Sequence, residues 1–248
     1  MKNNFRILFA IASLALAALA CQALSGAPTS TQVPDVAPAD TSVPDVNDPP
    51  SPIQSEEPAS NSDVLLDDDF SAGRTQWGTG TDADSGVEYV DEALNFKIFT
   101  KNYIVWTTPN DNDYENVHME VTAFNHSTNS AGAFGIICNM QLTNTSYYFA
   151  ITGAGEYAIG LYTFAGDTLL TNDGEWGKSS LIKSGADSYR IGADCGGGVL
   201  TLYVDGQRID SATDTTYTSG KAALFAWSGK EPNGTHIFFD DFVMTKLK

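Results

Sequence analysis

The run Val199-Leu-Thr-Leu-Tyr-Val-Asp-Gly-Gln-Arg-Ile209 puts Leu200, Leu202 and Val204 on one side of an extended chain. It breaks at Asp205-Gly206, the dipeptide that closes a two-residue β-hairpin. The same period of two continues outward from this hairpin. Val117, Met119 and Val121 alternate with His118, Glu120 and Thr122, and Phe134, Ile136 and Cys138 with Gly135, Ile137 and Asn139. Further strand-like runs cover 87–99, 102–107, 146–152, 156–164, 187–195, 220–227 and 235–245. Turn residues punctuate them at 152–155, 165–167 and 196–198. Helical periodicity never lasts beyond about two turns. Ten or more strands within residues 64–248 predict an all-β domain, either a two-sheet sandwich or a barrel.

Charge narrows the partners. The 248 residues carry 13 Lys and Arg against 31 Asp and Glu, a formal charge of −18. Neutralising phosphates needs clustered bases, so the composition argues against a nucleic-acid partner and against docking on anionic lipid heads. Residues 64–248 hold 11 basic and 24 acidic residues, a net of −13.

The N-terminal part reads as an address. Lys2 and Arg6 precede an apolar run of 14 residues, Ile7 to Ala20, which suits the core of a signal peptide and is too short for an ordinary span. Ala18-Leu-Ala-Cys21 resembles the bacterial lipobox, which implies acylation of Cys21 and a lipid anchor in the bacterial cell membrane or outer membrane. Residues 22–63 contain eight of the ten prolines, no aromatic residue and no Lys or Arg. Such a segment cannot bury enough apolar area to offset chain entropy and is expected to be a disordered tether, extending ~3.1 Å per residue where polyproline-like. The expected order is a signal peptide at 1–21, a tether at 22–63 and a domain at 64–248.

Besides Cys21 the chain has Cys138 and Cys195, each sharing a strand face with large apolar residues. In an oxidising compartment an even pair most simply forms one disulfide, closing a loop worth ~4 kcal/mol on the chain-entropy model. Two buried free thiols are the alternative.

Asp-Asp-Phe near the start of the domain, Tyr103-Ile-Val-Trp106, Gly135-Ile-Ile-Cys138, Leu202-Tyr-Val-Asp-Gly206 and Phe239-Asp-Asp-Phe242 together resemble the laminin G-like branch of the concanavalin A-like lectin/glucanase superfamily. The resemblance implies a two-sheet antiparallel jelly roll with its first and last strands side by side. It also implies that the two Cys bridge neighbouring strands.

That superfamily includes glycoside hydrolases, so paired carboxylates are the first chemistry to seek. Retaining enzymes place two carboxyls ~5–5.5 Å apart, in laminarinase-like relatives through Glu-x-Asp-x-x-Glu. The nearest approach here is Glu88, Asp91 and Glu92, whose spacing straddles a turn. Gly153-Ala-Gly-Glu-Tyr-Ala158 mimics a dinucleotide fingerprint but lies between two strands and opens no helix. His118, His126 and His236 have no ligand spacing for zinc.

Calcium has a stronger case. Asp67-Asp-Asp69 on the first strand and Asp240-Asp241 on the last would converge if these strands are neighbours, and Asp69 and Asp241 are the candidate ligands of a structural ion. A solvated acidic edge that discourages strand pairing is the other reading.

Alternation also suggests a binding face. With Phe134, Ile136, Tyr147 and Phe149 inward, Asn139, Tyr148, Thr152 and Tyr162 point outward among small residues, forming a trough suited to an extended sugar chain. Trp106 joins this candidate set, although Trp106, Trp176 and Trp227 taken singly read as packing. The leading expectation is a surface lipoprotein whose jelly roll binds extracellular carbohydrate or another polymer without catalysis. A glycan-cleaving or sugar-modifying enzyme, such as a glycoside hydrolase or a 3-keto-disaccharide hydrolase relative, is the second. A protein-interaction or structural module is the third.

Overall fold

The computed structural model describes residues 63–71, 76–142 and 145–247. The signal peptide, Cys21 and all of the tether but Asp63 lie outside the described residues. Sixteen strands follow in chain order: β1 (Val64–Asp68), β2 (Gly80–Thr81), β3 (Ser85–Val90), β4 (Ala93–Ile98), β5 (Ile104–Thr107), β6 (Val117–Asn125), β7 (Ala133–Leu142), β8 (Thr145–Thr152), β9 (Glu156–Thr163), β10 (Gly166–Leu169), β11 (Gly177–Lys178), β12 (Ser188–Gly196), β13 (Val199–Val204), β14 (Gln207–Thr213), β15 (Lys221–Trp227) and β16 (Thr235–Lys246).

They form two antiparallel sheets. One has nine strands in the order β14-β13-β12-β6-β16-β4-β3-β2, with β1 also paired to β16; the other has seven, β10-β9-β8-β7-β15-β5, with β11 also paired to β9. The Asp-Gly hairpin forms as expected, Val204 pairing with Gln207 and both turn residues in the left-handed region at φ 51° and 73°. The first and last strands are neighbours: β1 lies against the second half of β16, while β4 pairs with its first half. The run at 87–99 divides in two at Asp91-Glu92, a turn with both residues at positive φ. Glu88 sits on a strand and the other two acids on that turn, so the three do not share a strand face.

The alternating apolar residues meet between the sheets. Met119, Val121, Leu202 and Phe239 from the nine-stranded sheet bury against Phe134, Ile136, Tyr147 and Phe149 from the seven-stranded one. Each such side chain removed from water contributes about 1.5–3 kcal/mol. Cys138 and Cys195 are disulfide-bonded in this core. The bridge does not join neighbours within one sheet, as the family resemblance implied. Cys138 is on β7 and Cys195 on β12, so the bond ties the two sheets face to face. The reason is that both residues point inward from the central region of different layers.

Candidate functional site

The outer side of the seven-stranded sheet carries a second apolar cluster, separate from the core. Ala133, Ile137, Met140, Ala150, Ala223 and Phe225 are buried there, with Trp106, Tyr148, Trp176 and Trp227 packed on them. Strand register explains the shape. Trp106 on β5 pairs with Phe225 on β15, which pairs with Gly135, then Ala150, then Ala158. Bulky rings at one end of this row and small residues along the rest make a trough. It encloses about 310 Å³. Ile104 on β5 and Tyr162 on β9 both line it, 49% and 42% exposed. Four strand spacings separate their strands, roughly 19 Å, so the trough is longer than a single sugar ring.

One wall is built by a glycine. Tyr148 pairs with Gly160, and a Cβ at Gly160 would lie 2.2 Å from a carbon of the tyrosine ring. The bare backbone lets the ring lie flat across β9. From there the Tyr148 hydroxyl donates to Asp167 Oδ1 at 2.7 Å. Burial, and then the Asp167 charge, push the tyrosine's pKa far up, so it stays a neutral donor. Asp167 reaches this position because β10 pairs back on β9, Asp167 opposite Tyr162.

Of the five residues expected at a ligand face, Trp106, Tyr148 and Tyr162 line the trough. Asn139 does not. β7 carries one extra residue there relative to β15, and Asn139 sits at φ 49° in the bulge. Its side chain is buried, donating through Nδ2 to the Tyr217 carbonyl at 2.9 Å, and the shifted alternation sends Met140 into the trough instead. Thr152 does not line it either: it is buried, and its Oγ1 accepts from the backbone N–H groups of Ala154 and Glu156 to close the β8–β9 turn.

Trp176, Trp227 and Asp167 belong to the site and were not in the expected set. The signal for Trp227 was present in Lys221–Trp227, whose apolar residues occupy both faces of the strand. In a two-layer sandwich the outward face then needs an apolar structure of its own.

The terminal aspartates sit where β1 and β16 meet. Asp68 is buried at the end of β1, accepting from Phe70 N at 2.9 Å and from Trp77 Nε1 at 3.1 Å. Asp69 accepts from the Ser71 backbone and hydroxyl. Asp240 is raised by burial, with the charges of Asp241, Asp69 and Glu92 adding to the effect, so these acids do lie near one another. Among the described residues, however, no group of three or more His, Cys, Asp or Glu side chains is arranged to hold a metal ion.

The outer side of the nine-stranded sheet is built differently. His118 Nδ1 and Asp194 Oδ1 are 2.6 Å apart, and the Tyr203 hydroxyl donates to Asp194 Oδ2 at 2.7 Å. Arg190 spans from Glu120 to Thr122 on the neighbouring strand. In this patch, on β6, β12 and β13, these polar groups are matched across strands.

No family model and no curated protein matches the chain. Solved structures do match the described domain. A CBM66 carbohydrate-binding module from Bacillus subtilis is 12% identical with a TM-score of 0.56, over 71% of this chain and 99% of that one. A B. subtilis protein of unknown function with a galectin-like fold is 9% identical, TM-score 0.56, over 74% and 96%. A Bacillus licheniformis β-glucanase is 13% identical, TM-score 0.54, over 74% and 98%. The domain has the fold of a two-sheet antiparallel jelly roll. At these identities the likeness carries the fold and nothing of the chemistry.

Proposed function

We propose that the jelly roll binds an extended carbohydrate chain in the aromatic trough, without cleaving it. The observation that carries this is the trough itself: Trp106, Trp176, Trp227, Tyr148 and Tyr162 along one groove, with Asp167, Asn102 and Ser146 as polar tips. Aromatic faces pack on the C–H faces of sugar rings, and a few fixed polar groups select hydroxyl patterns. A carbohydrate-binding module and a glucanase share the fold, which makes a glycan the polymer to test first. Asp167 is the one carboxylate lining the trough among the described residues, whereas acid-base cleavage uses two. We further propose that the chain is exported and anchored through a lipid on Cys21, with the tether holding the domain clear of the membrane.

The test is a glycan array probed with the full chain, followed by incubation with each bound glycan. The expected result is binding with no new reducing ends. Release of reducing sugar places the site among enzymes instead. Absence of any glycan signal, with a protein recovered by cross-linking, turns the domain into an interaction module. Labelled fatty acid incorporated by the wild type and lost in Cys21→Ala checks the anchor.

A further inference from the structure

Resting on the reading of the trough as a glycan site, we infer that it selects a chain bearing protonated amino groups, such as an oligomer of 2-amino-2-deoxy sugars, seated against Asp167. The argument is electrostatic complementarity. Among the side chains lining the trough, Asp167 carries the only formal charge, and no Lys, Arg or His lines it. Lys101, next in sequence to the lining residue Asn102, is itself outside the lining. Among the described residues no base pairs with Asp167; Oδ1 accepts the Tyr148 hydroxyl, and Oδ2 forms no hydrogen bond.

The walls act in the same direction. Aromatic rings present negative faces that attract organic cations, and three Trp, two Tyr and Phe225 line the trough that Asp167 closes at its β10 end. The domain as a whole carries −13, which raises the local concentration of cationic ligands and repels anionic ones. A uronate, sulfate or sialate would have to bring its charge beside Asp167 with no base to receive it. Gly160 also has a purpose in this arrangement: it seats the Tyr148 ring so that its hydroxyl holds the carboxylate in one orientation.

Three tetrasaccharides of equal length separate the outcomes, titrated calorimetrically into the full chain at a pH where the amine is protonated. One is composed of glucosamine, one of N-acetylglucosamine and one of galacturonate. The glucosamine oligomer should bind about tenfold tighter than its acetylated counterpart, the uronate should not bind, and the preference should shrink with added salt. Asp167→Asn, at an exposed position, should equalise the first two. Equal or tighter binding of the acetylated or uronate oligomer, or a preference that survives Asp167→Asn, overturns the inference. If the neutral oligomer still binds in that case, the glycan reading stands without it. Glucosamine binding that persists in Trp227→Ala overturns both, because it would reflect attraction to an acidic surface outside the trough.

Discussion

The two outer faces of the sandwich share one core and have opposite chemistry. On the nine-stranded sheet, His118, Asp194, Tyr203, Glu120 and Arg190 satisfy each other across β6, β12 and β13. On the seven-stranded sheet, large rings are left half-exposed around a floor of small residues, with a single carboxylate among them. Polar groups already paired with one another, as in this patch on β6, β12 and β13, have little to offer a ligand. A face that leaves aromatic surface in water gains by covering it. On this difference rests the proposal that recognition lies on the seven-stranded side, while the paired patch on the other staples its strands.

The largest effect should come from the feature that joins the two faces. Cys138→Ala with Cys195→Ala removes the inter-sheet bridge, whose partners are 57 positions apart. Denaturant unfolding should show a loss of about 4 kcal/mol, and an unchanged midpoint would mean that packing alone holds the layers together. Next, Trp227→Ala should weaken glycan binding by ~2 kcal/mol, while Arg190→Ala on the opposite face leaves affinity unchanged. Equal losses from both would erase the distinction between the faces. Gly160→Ala should cost ~1–2 kcal/mol of stability by overpacking and should also weaken binding, since the new methyl lies where the Tyr148 ring rests. A variant with native stability and affinity would show that the ring can move without consequence.

The smallest effect belongs to the polar face. The hydrogen bond that His118 donates to Asp194 raises the pKa of His118 above its ordinary 6.5 against the opposing effect of burial, with the Asp194 and Glu120 charges adding to it. Asp194 is pushed up by burial, but the hydrogen bonds from His118 and Tyr203 outweigh this and leave it lowered from 3.8. The His118 contribution to stability is thus fully present below pH 6.5 and fades as pH rises through the raised value. The Asp194 contribution is present above pH 3.8 and fades as pH falls through the lowered value. Stability should therefore be greatest between the two, by about 0.5–1 kcal/mol for this partly exposed pair. His118→Gln should flatten the alkaline side of the profile; an unaltered profile would remove the pair from the account.

Local patterns carried the fold. The Asp205-Gly206 hairpin and the partnership of Cys138 with Cys195 were legible in the chain, whereas the adjacency of β1 and β16 followed only from the family resemblance. The placement of the bridge between sheets was not, because period two tells which side a residue faces and not which layer it belongs to. The site was half legible for a related reason. Trp106, Tyr148 and Tyr162 follow from alternation, but counting by two assumes an unbroken ladder. The bulge at Asn139 breaks it, and this depends on a distant residue: a Cβ at Gly220 would lie 2.5 Å from the Asn139 carbonyl carbon. Trp176 comes from the connection between β10 and β11, where no strand period applies.

The central claim is that glycan recognition resides in the aromatic trough. Its most direct test is tryptophan fluorescence of the full chain, titrated with the tightest oligosaccharide from the array, for the wild type, Trp227→Ala and Arg190→Ala. The account predicts saturable quenching in the wild type and in Arg190→Ala with the same Kd, and at least tenfold weaker binding in Trp227→Ala. Full affinity in Trp227→Ala with loss in Arg190→Ala would contradict it and move the site to the opposite sheet.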